Sequence, residues 1–157
     1  MALRTILKQG DETLLKRCRP VAQFDERLHT LLDDMAETLH DSGGVGLAAP
    51  QIGILRRAVV ILDVNKDPEE LIELVNPEVI EKSGSERMVE GCLSVPGVYG
   101  YVTRPTHAVI RAQDRNGKWF EREGEGIVAQ CFCHETEHLD GHLFTEKVEE
   151  YVDVEKD

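Results

Sequence analysis

The sequence predicts an α+β fold on three observations: a helical apolar period over residues 25–40, β-branched and alternating runs over residues 57–121, and a second helical period from Ile127. In the first, Leu28, Leu31, Leu32, Met35, Ala36 and Leu39 recur at the i, i+3, i+4, i+7 spacing of one helix face, and Gly43 and Gly44 end the helix. Ala58, Val59, Val60, Ile61 and Leu62 form an apolar run of strand length, so Arg57 to Val64 is predicted as a strand. Leu71 to Ile80 is a second strand candidate, interrupted at Asn76-Pro77. Ala108 to Gln113 alternates, Asp114-Arg115-Asn116-Gly117 turns the chain, and Lys118 to Glu121 returns it; the Asn-Gly pair predicts a hairpin closed by a primed turn. The middle of the chain therefore reads as antiparallel sheet. Beyond Gly124, Ile127, Cys131, His134 and His138 repeat at four, three and four, with Gly141 where a helix C-cap would sit. The acidic stretch Glu149 to Asp157 is expected to fray or to form a short helix.

The 157 residues contain no internal repeat, low-complexity segment or linker, so one domain over residues 1–157 is expected. Hydrophobic residues make up 41% and charged residues 31%, which excludes disordered and collagen-like classes. A formal net charge of −12 with no basic run repels polyanions, so direct nucleic-acid binding is not expected. No apolar stretch approaches the roughly 18 residues of a membrane span. Gln9, Gly10, Asp11 and Glu12 interrupt the N-terminus before a signal-peptide core could form, so a cytoplasmic location is expected. In that compartment Cys18, Cys92, Cys131 and Cys133 are thiols, ligands or core residues rather than a disulfide framework.

His134-Glu135-Thr136-Glu137-His138 sets two imidazoles one helical turn apart, where both can bind one metal ion, with Glu135 beside them to move protons. A charged surface helix would show the same five residues, so the third ligand decides. A metzincin needs a histidine at position 144, which is Phe144. A thermolysin-like site needs a downstream glutamate on another helix; Glu146, Glu149 and Glu150 exist, but little chain remains to build that helix. Upstream, Cys92 in Glu90-Gly91-Cys92-Leu93-Ser94 is the best candidate, and a small buried hydrophobe is its alternative. Gly44-Val45-Gly46-Leu47-Ala48-Ala49-Pro50-Gln51 fails as a phosphate loop because no Lys-Ser/Thr follows its glycines. It can instead present backbone N–H and C=O groups to an extended peptide, with Gln51 as an amide donor, or serve as a plain turn.

Together, Gly44 to Gln51, Glu90 to Ser94 and His134 to His138, in this order, resemble the peptide deformylase family, and the similarity extends from the first helix to about Phe144. The resemblance implies antiparallel or mixed sheets packed around a central helix that carries the H-E-x-x-H motif. It implies Cys92, His134 and His138 as metal ligands, Glu135 as general acid/base, and Gln51 with the Leu93 N–H as oxyanion donors. Substrate would pair along Gly44, Val45 and Gly46; its methionine side chain would enter a pocket near Val45, Met88, Ile127, Cys131 and His134. Arg104 lies where the family has an arginine near the substrate channel, and Glu90 is expected to be structural. Two positions depart from the family: Cys133 stands for the usual glutamine, bringing a further thiol near the metal, and Glu137 for the usual aspartate; neither is expected to touch a ligand.

The activity so implied is removal of the formyl group from formyl-methionyl nascent polypeptides, with release of formate. Ferrous iron is the expected metal, with zinc or another divalent ion as its replacement. Transient proximity to the ribosome is a possible partnership, although the short acidic tail lacks the basic helix with which longer members dock. Another metal-dependent amidase or peptidase, or a non-catalytic module capturing peptide N-termini, stays as the alternative; an unligated Glu135 beside the ligands argues against the module.

Overall fold

The computed structural model describes residues 2–153. Helix α1 spans Glu26–Ser42, and its ends follow the sequence signals: Asp25 caps it by accepting from the Leu28 N–H at 3.2 Å, and Gly43 terminates it at φ 74°. The chain then enters β1 (Gly46–Ala48), a short 3₁₀ turn over Ala49–Ile52, and β2 (Ala58–Asp63). Strand β3 (Glu70–Ser83) is followed by β4 (Glu86–Cys92), β5 (Val95–Arg104), β6 (His107–Gln113) and β7 (Trp119–Glu125). Helix α2 (Ile127–Leu139) and β8 (Glu150–Val152) complete the described elements. The strands form two antiparallel sheets, one ordered β1-β2-β3-β6-β7 and the other β4-β5-β8.

Strand β2 lacks polar alternation because both of its faces are covered. Val59 and Ile61 point to a core shared with Val128, Ala129 and Phe132 of α2. Ala58 and Val60 point the other way, against Leu28, Leu32 and Met35 of α1. Period-two side chains thus serve two helices from one strand. In α2 every residue from Val128 to Glu135 is buried, more than two full turns, so this helix is covered on all sides of that stretch.

Three expectations are corrected. Asn76-Pro77 does not interrupt the second strand: β3 continues through a register shift between Val75 and Glu78. Asn76 takes φ 50°, its Oδ1 accepts from the Val21 N–H at 2.8 Å, and its amide donates to Val21 C=O at 2.9 Å and Gln113 Oε1 at 2.8 Å. Those side-chain bonds replace ladder bonds lost at the bulge, where a proline without N–H is tolerated. The β6–β7 hairpin forms, but not on a primed Asn-Gly turn: only Gly117 has positive φ (86°), and its N–H donates to the Asp114 C=O at 3.0 Å. Asp114 holds this wider loop by accepting from the N–H groups of Asn116 and Lys118 at 2.9 and 3.0 Å. Finally, the start of the acidic tail is a strand: β8 pairs with β5, while Arg87 binds Glu149 and Glu150 at 3.3 and 2.8 Å. The expectation for residues 154–157 lies outside the described residues.

Gly141 closes α2 as the spacing predicts, at φ 84° with its N–H donating to the His138 C=O at 3.1 Å. A Cβ there would stand 2.5 Å from the Leu15 carbonyl oxygen. Gly141→Ala therefore combines a left-handed backbone with a backbone clash, and should lower unfolding free energy by roughly 2 kcal/mol or more. A urea titration should show a lower midpoint at unchanged slope.

Candidate metal centre

The fourfold spacing of His134 and His138 sets their rings edge to face on one side of α2, with centroids 4.9 Å apart and Nε2 atoms 3.2 Å apart. The third group arrives from the end of β4, where the ladder shifts register between Glu90 and Cys92 and re-aims the thiol. Gly91 sits at this shift, under the Tyr99 ring, which a Cβ would approach to 2.7 Å. Cys92 Sγ lies 3.3 Å from His138 Nε2, and the three donor atoms all fall within 4.8 Å of one another.

The donor set fits a divalent metal. Metal–nitrogen bonds of about 2.0–2.1 Å and a metal–sulfur bond of about 2.3 Å put tetrahedral donors roughly 3.3–3.6 Å apart, close to the separations seen. Burial, and secondarily His134, push the His138 imidazole well below its ordinary pKa, leaving the neutral ring that ligates. Burial opposes a charge on His134 too, but Glu135, Cys92 and Glu90 outweigh it and hold that ring's pKa high. Such surroundings favour a cation, whether proton or metal ion.

Glu90 does more than the sequence suggested. Its Oε2 accepts from His134 Nδ1 at 2.6 Å, so the opposite nitrogen is directed at the metal position. Arg104 holds Glu90 in a two-point clamp at 2.9 and 2.7 Å and reaches Glu137 at 2.7 Å; Lys147 reaches the same Glu137 oxygen at 2.9 Å. Burial would raise the Glu90 pKa, yet the bonds from His134 and Arg104 hold it down at about 2. Arg104 is buried and absent from the lining of the cavity beside the metal donors, so its place near a substrate channel is corrected to a brace behind the ligands. The hint in the sequence was spacing alone: Glu90 stands two residues before Cys92.

That cavity, of about 640 Å³, is lined by Gly44, Val45, Gly46, Ile127 and Cys131 among the residues assigned to substrate, and Met88 lies outside it. Cys133 is buried, is absent from that lining and does not belong to the donor group, since one residue turns a helix by about 100°. Glu135 faces the cavity, and its Oε1 is buried without a hydrogen-bond partner among the described residues. Burial pushes its carboxyl up to about 7. Gly46 makes room for it: a Cβ there would stand 2.5 Å from Glu135 Oε2.

Gln51 is buried in the 3₁₀ turn. Its Oε1 accepts from the Ala48 N–H at 2.9 Å, which turns Nε2 toward Ser94 Oγ at 3.1 Å and Cys92 Sγ at 3.6 Å. Ser94, which the sequence did not single out, thus helps to hold the amide. Leu93, next to Cys92, also lines the cavity. Glu90→Gln should preserve shape while weakening the pull on the His134 proton, lowering divalent-ion affinity about 10- to 100-fold in a chelator competition.

A model of the family described as polypeptide deformylase matches residues 3–153. A peptide deformylase of Caldicellulosiruptor bescii is 53% identical over 156 residues, covering 99% of this chain and 92% of the relative. Among solved structures, a peptide deformylase from Legionella pneumophila superposes with a TM-score of 0.88 at 48% identity, over 93% of this chain and 86% of that one. The Thermotoga maritima peptide deformylase gives 0.88 at 37% identity, over 93% and 97%. With its donor triad, unligated glutamate and clamped glutamine in place, the chain belongs to the polypeptide deformylase family.

Proposed function

We propose a division of labour among these residues for the family's reaction, in which the formyl group is hydrolysed from the N-terminal methionine of a nascent polypeptide and formate is released. The observation that carries it is the meeting of Cys92, His134 and His138 beside Glu135, a buried glutamate that lines the same cavity and whose Oε2 lies 3.9 Å from His134 Nε2. The three ligands would hold a divalent ion, which supplies Lewis-acid activation of water near neutral pH when bound. The Glu135 carboxylate takes the proton from the attacking water and delivers it to the leaving nitrogen, a step an amide requires. The Gln51 amide and the Leu93 N–H donate to the oxyanion that develops on the formyl oxygen.

Strand β1 supports the binding mode. It is an edge of its sheet, paired only with β2, and Gly46 and its neighbours Gly44 and Val45 line the cavity. An extended peptide can add there as a further strand, with its methionine side chain directed to Val45, Ile127, Cys131 and the His134 ring. Residues 1–157 then act as one catalytic domain, with α2 as its central helix.

Ligand chemistry alone accommodates zinc, since one thiolate and two imidazoles with a fourth position for water suit it. The family resemblance leads us to assign ferrous iron as the working ion, replaced by zinc on aerobic handling. We place the reaction in the cytoplasm with transient proximity to the ribosome, as a substrate emerging there requires. Among the described residues no helix is long and apolar enough to cross a membrane.

An anaerobic assay of formate release from formyl-Met-Ala-Ser with Fe²⁺, Zn²⁺ or chelator tests the reading. Formate should appear with either ion and vanish with chelator, and the acetylated peptide should react far more slowly; equal rates on both would point to a general amidase. Glu135→Ala should retain its ion by elemental analysis and lose about 10²- to 10⁴-fold in kcat. Gln51→Leu should lose about 10²- to 10³-fold.

A further inference from the structure

The carboxylates facing the cavity lie deep within it. Glu90 is neutralised by Arg104 and bonded to His134, and Glu135 is buried. Lys8 is exposed and is, among the described residues, the one lysine or arginine that lines the cavity. Its ammonium donates to the Leu93 C=O at 3.4 Å, a long bond that leaves two further N–H groups for other acceptors. The backbone beneath it is pinned on both sides: the Leu7 N–H donates to the Gln51 C=O and the Gln9 N–H to the Ser94 C=O, each at 2.7 Å. The backbone flanking Lys8 is therefore anchored to Gln51, which carries the amide, and to Ser94, which holds it.

We propose that Lys8 is a specificity-determining residue that favours formylated peptides with a carboxylate side chain at the second or third residue. The proposal rests on the deformylase reading of the cavity. Leu93 directly follows the ligand Cys92, and its side chain fills the space beside Gly44, where a Cβ would meet Leu93 Cδ1 at 2.9 Å. A peptide extended along the β1 edge advances about 3.3 Å per residue away from the metal donors. In the proposed binding mode its second and third residues run past the Leu93 carbonyl and the ammonium bonded to it, since Lys8 and Leu93 line the same cavity as Gly44 to Gly46.

Charge makes the preference positional. At a net −12 the chain as a whole repels an acidic peptide. A single cation reverses that repulsion only for a carboxylate within about 8–10 Å, the screening length near physiological salt. Acidic residues farther along the peptide feel the repulsion of the whole chain and gain nothing from Lys8.

The test compares kcat/KM, in metal-loaded enzyme, for formyl-Met-Ala-Ser amide and for amides with Asp in place of Ala or of Ser. Wild type should prefer one of the Asp peptides by about two- to fivefold, the range of an exposed ion pair. Lys8→Met should bring that ratio to one or below, Lys8→Arg should retain it, Lys8→Glu should invert it, and high salt should erase it. A ratio equal in wild type and Lys8→Met overturns the proposal. So does a Lys8-dependent effect confined to peptides with a free C-terminal carboxylate, which would mean that Lys8 reads the chain end. Lack of formate from the neutral peptide would overturn the deformylase reading and this proposal together, so the two failures are distinguishable.

Discussion

The hydrogen bond between Glu90 and His134 joins the two parts of the metal centre. Cys92 ends a strand of one sheet and His134 rides on a helix packed against the other, so little in local chain geometry brings thiol and imidazole together. Glu90, two residues before the thiol, grips the imidazole at 2.6 Å. Burying that carboxylate costs several kcal/mol unless its charge is matched, and the two-point clamp from Arg104 matches it. The ion pair thus has a positional role: removing either partner leaves an uncompensated buried charge directly behind a ligand.

Close approach is the second constraint. Gly46 lets the β1 backbone lie against the Glu135 carboxyl, and Gly91 lets β4 pass under Tyr99 where the strand re-aims Cys92. A methyl group at Gly46 would press on the Glu135 carboxyl, and one at Gly91 on the Tyr99 ring that lies over the strand end. The same closeness that buries Glu135 raises its carboxyl to about 7.

What could be read from the sequence follows from the range of each interaction. Helix α1, strand β2 and the His134–His138 pair depend on neighbours one to four residues away, so their spacing carries the information. Asn76 is different, because its tolerance of a bulge depends on Val21 and Gln113, 55 and 37 residues distant. Arg104 is similar: its partners Glu90 and Glu137 lie 14 and 33 residues away, and a buried arginine looks in sequence like one that meets substrate. Ser94 and β8 likewise acquire their roles only from partners remote in the chain. Cys133 shows the converse, since adjacency in sequence to His134 does not bring its thiol into the donor group.

A site assembled from residues so far apart ties metal binding to folding. Cys92 and His138 are separated by 46 positions, and an ion held between them closes that span while also cross-linking strand β4 to helix α2. Because the unfolded chain cannot present the triad, binding favours the native state by an amount that grows with ion concentration. The stretch of α2 from Val128 to Glu135 is already covered on every side, which limits how far the imidazoles can move when the ion leaves. The Cys92 strand end is tied in turn by Glu90 through His134 and by the Gln51 amide through Ser94 and the thiol. These restraints fix the three donor atoms and the Gln51 amide together, so one strand end sets the positions of both.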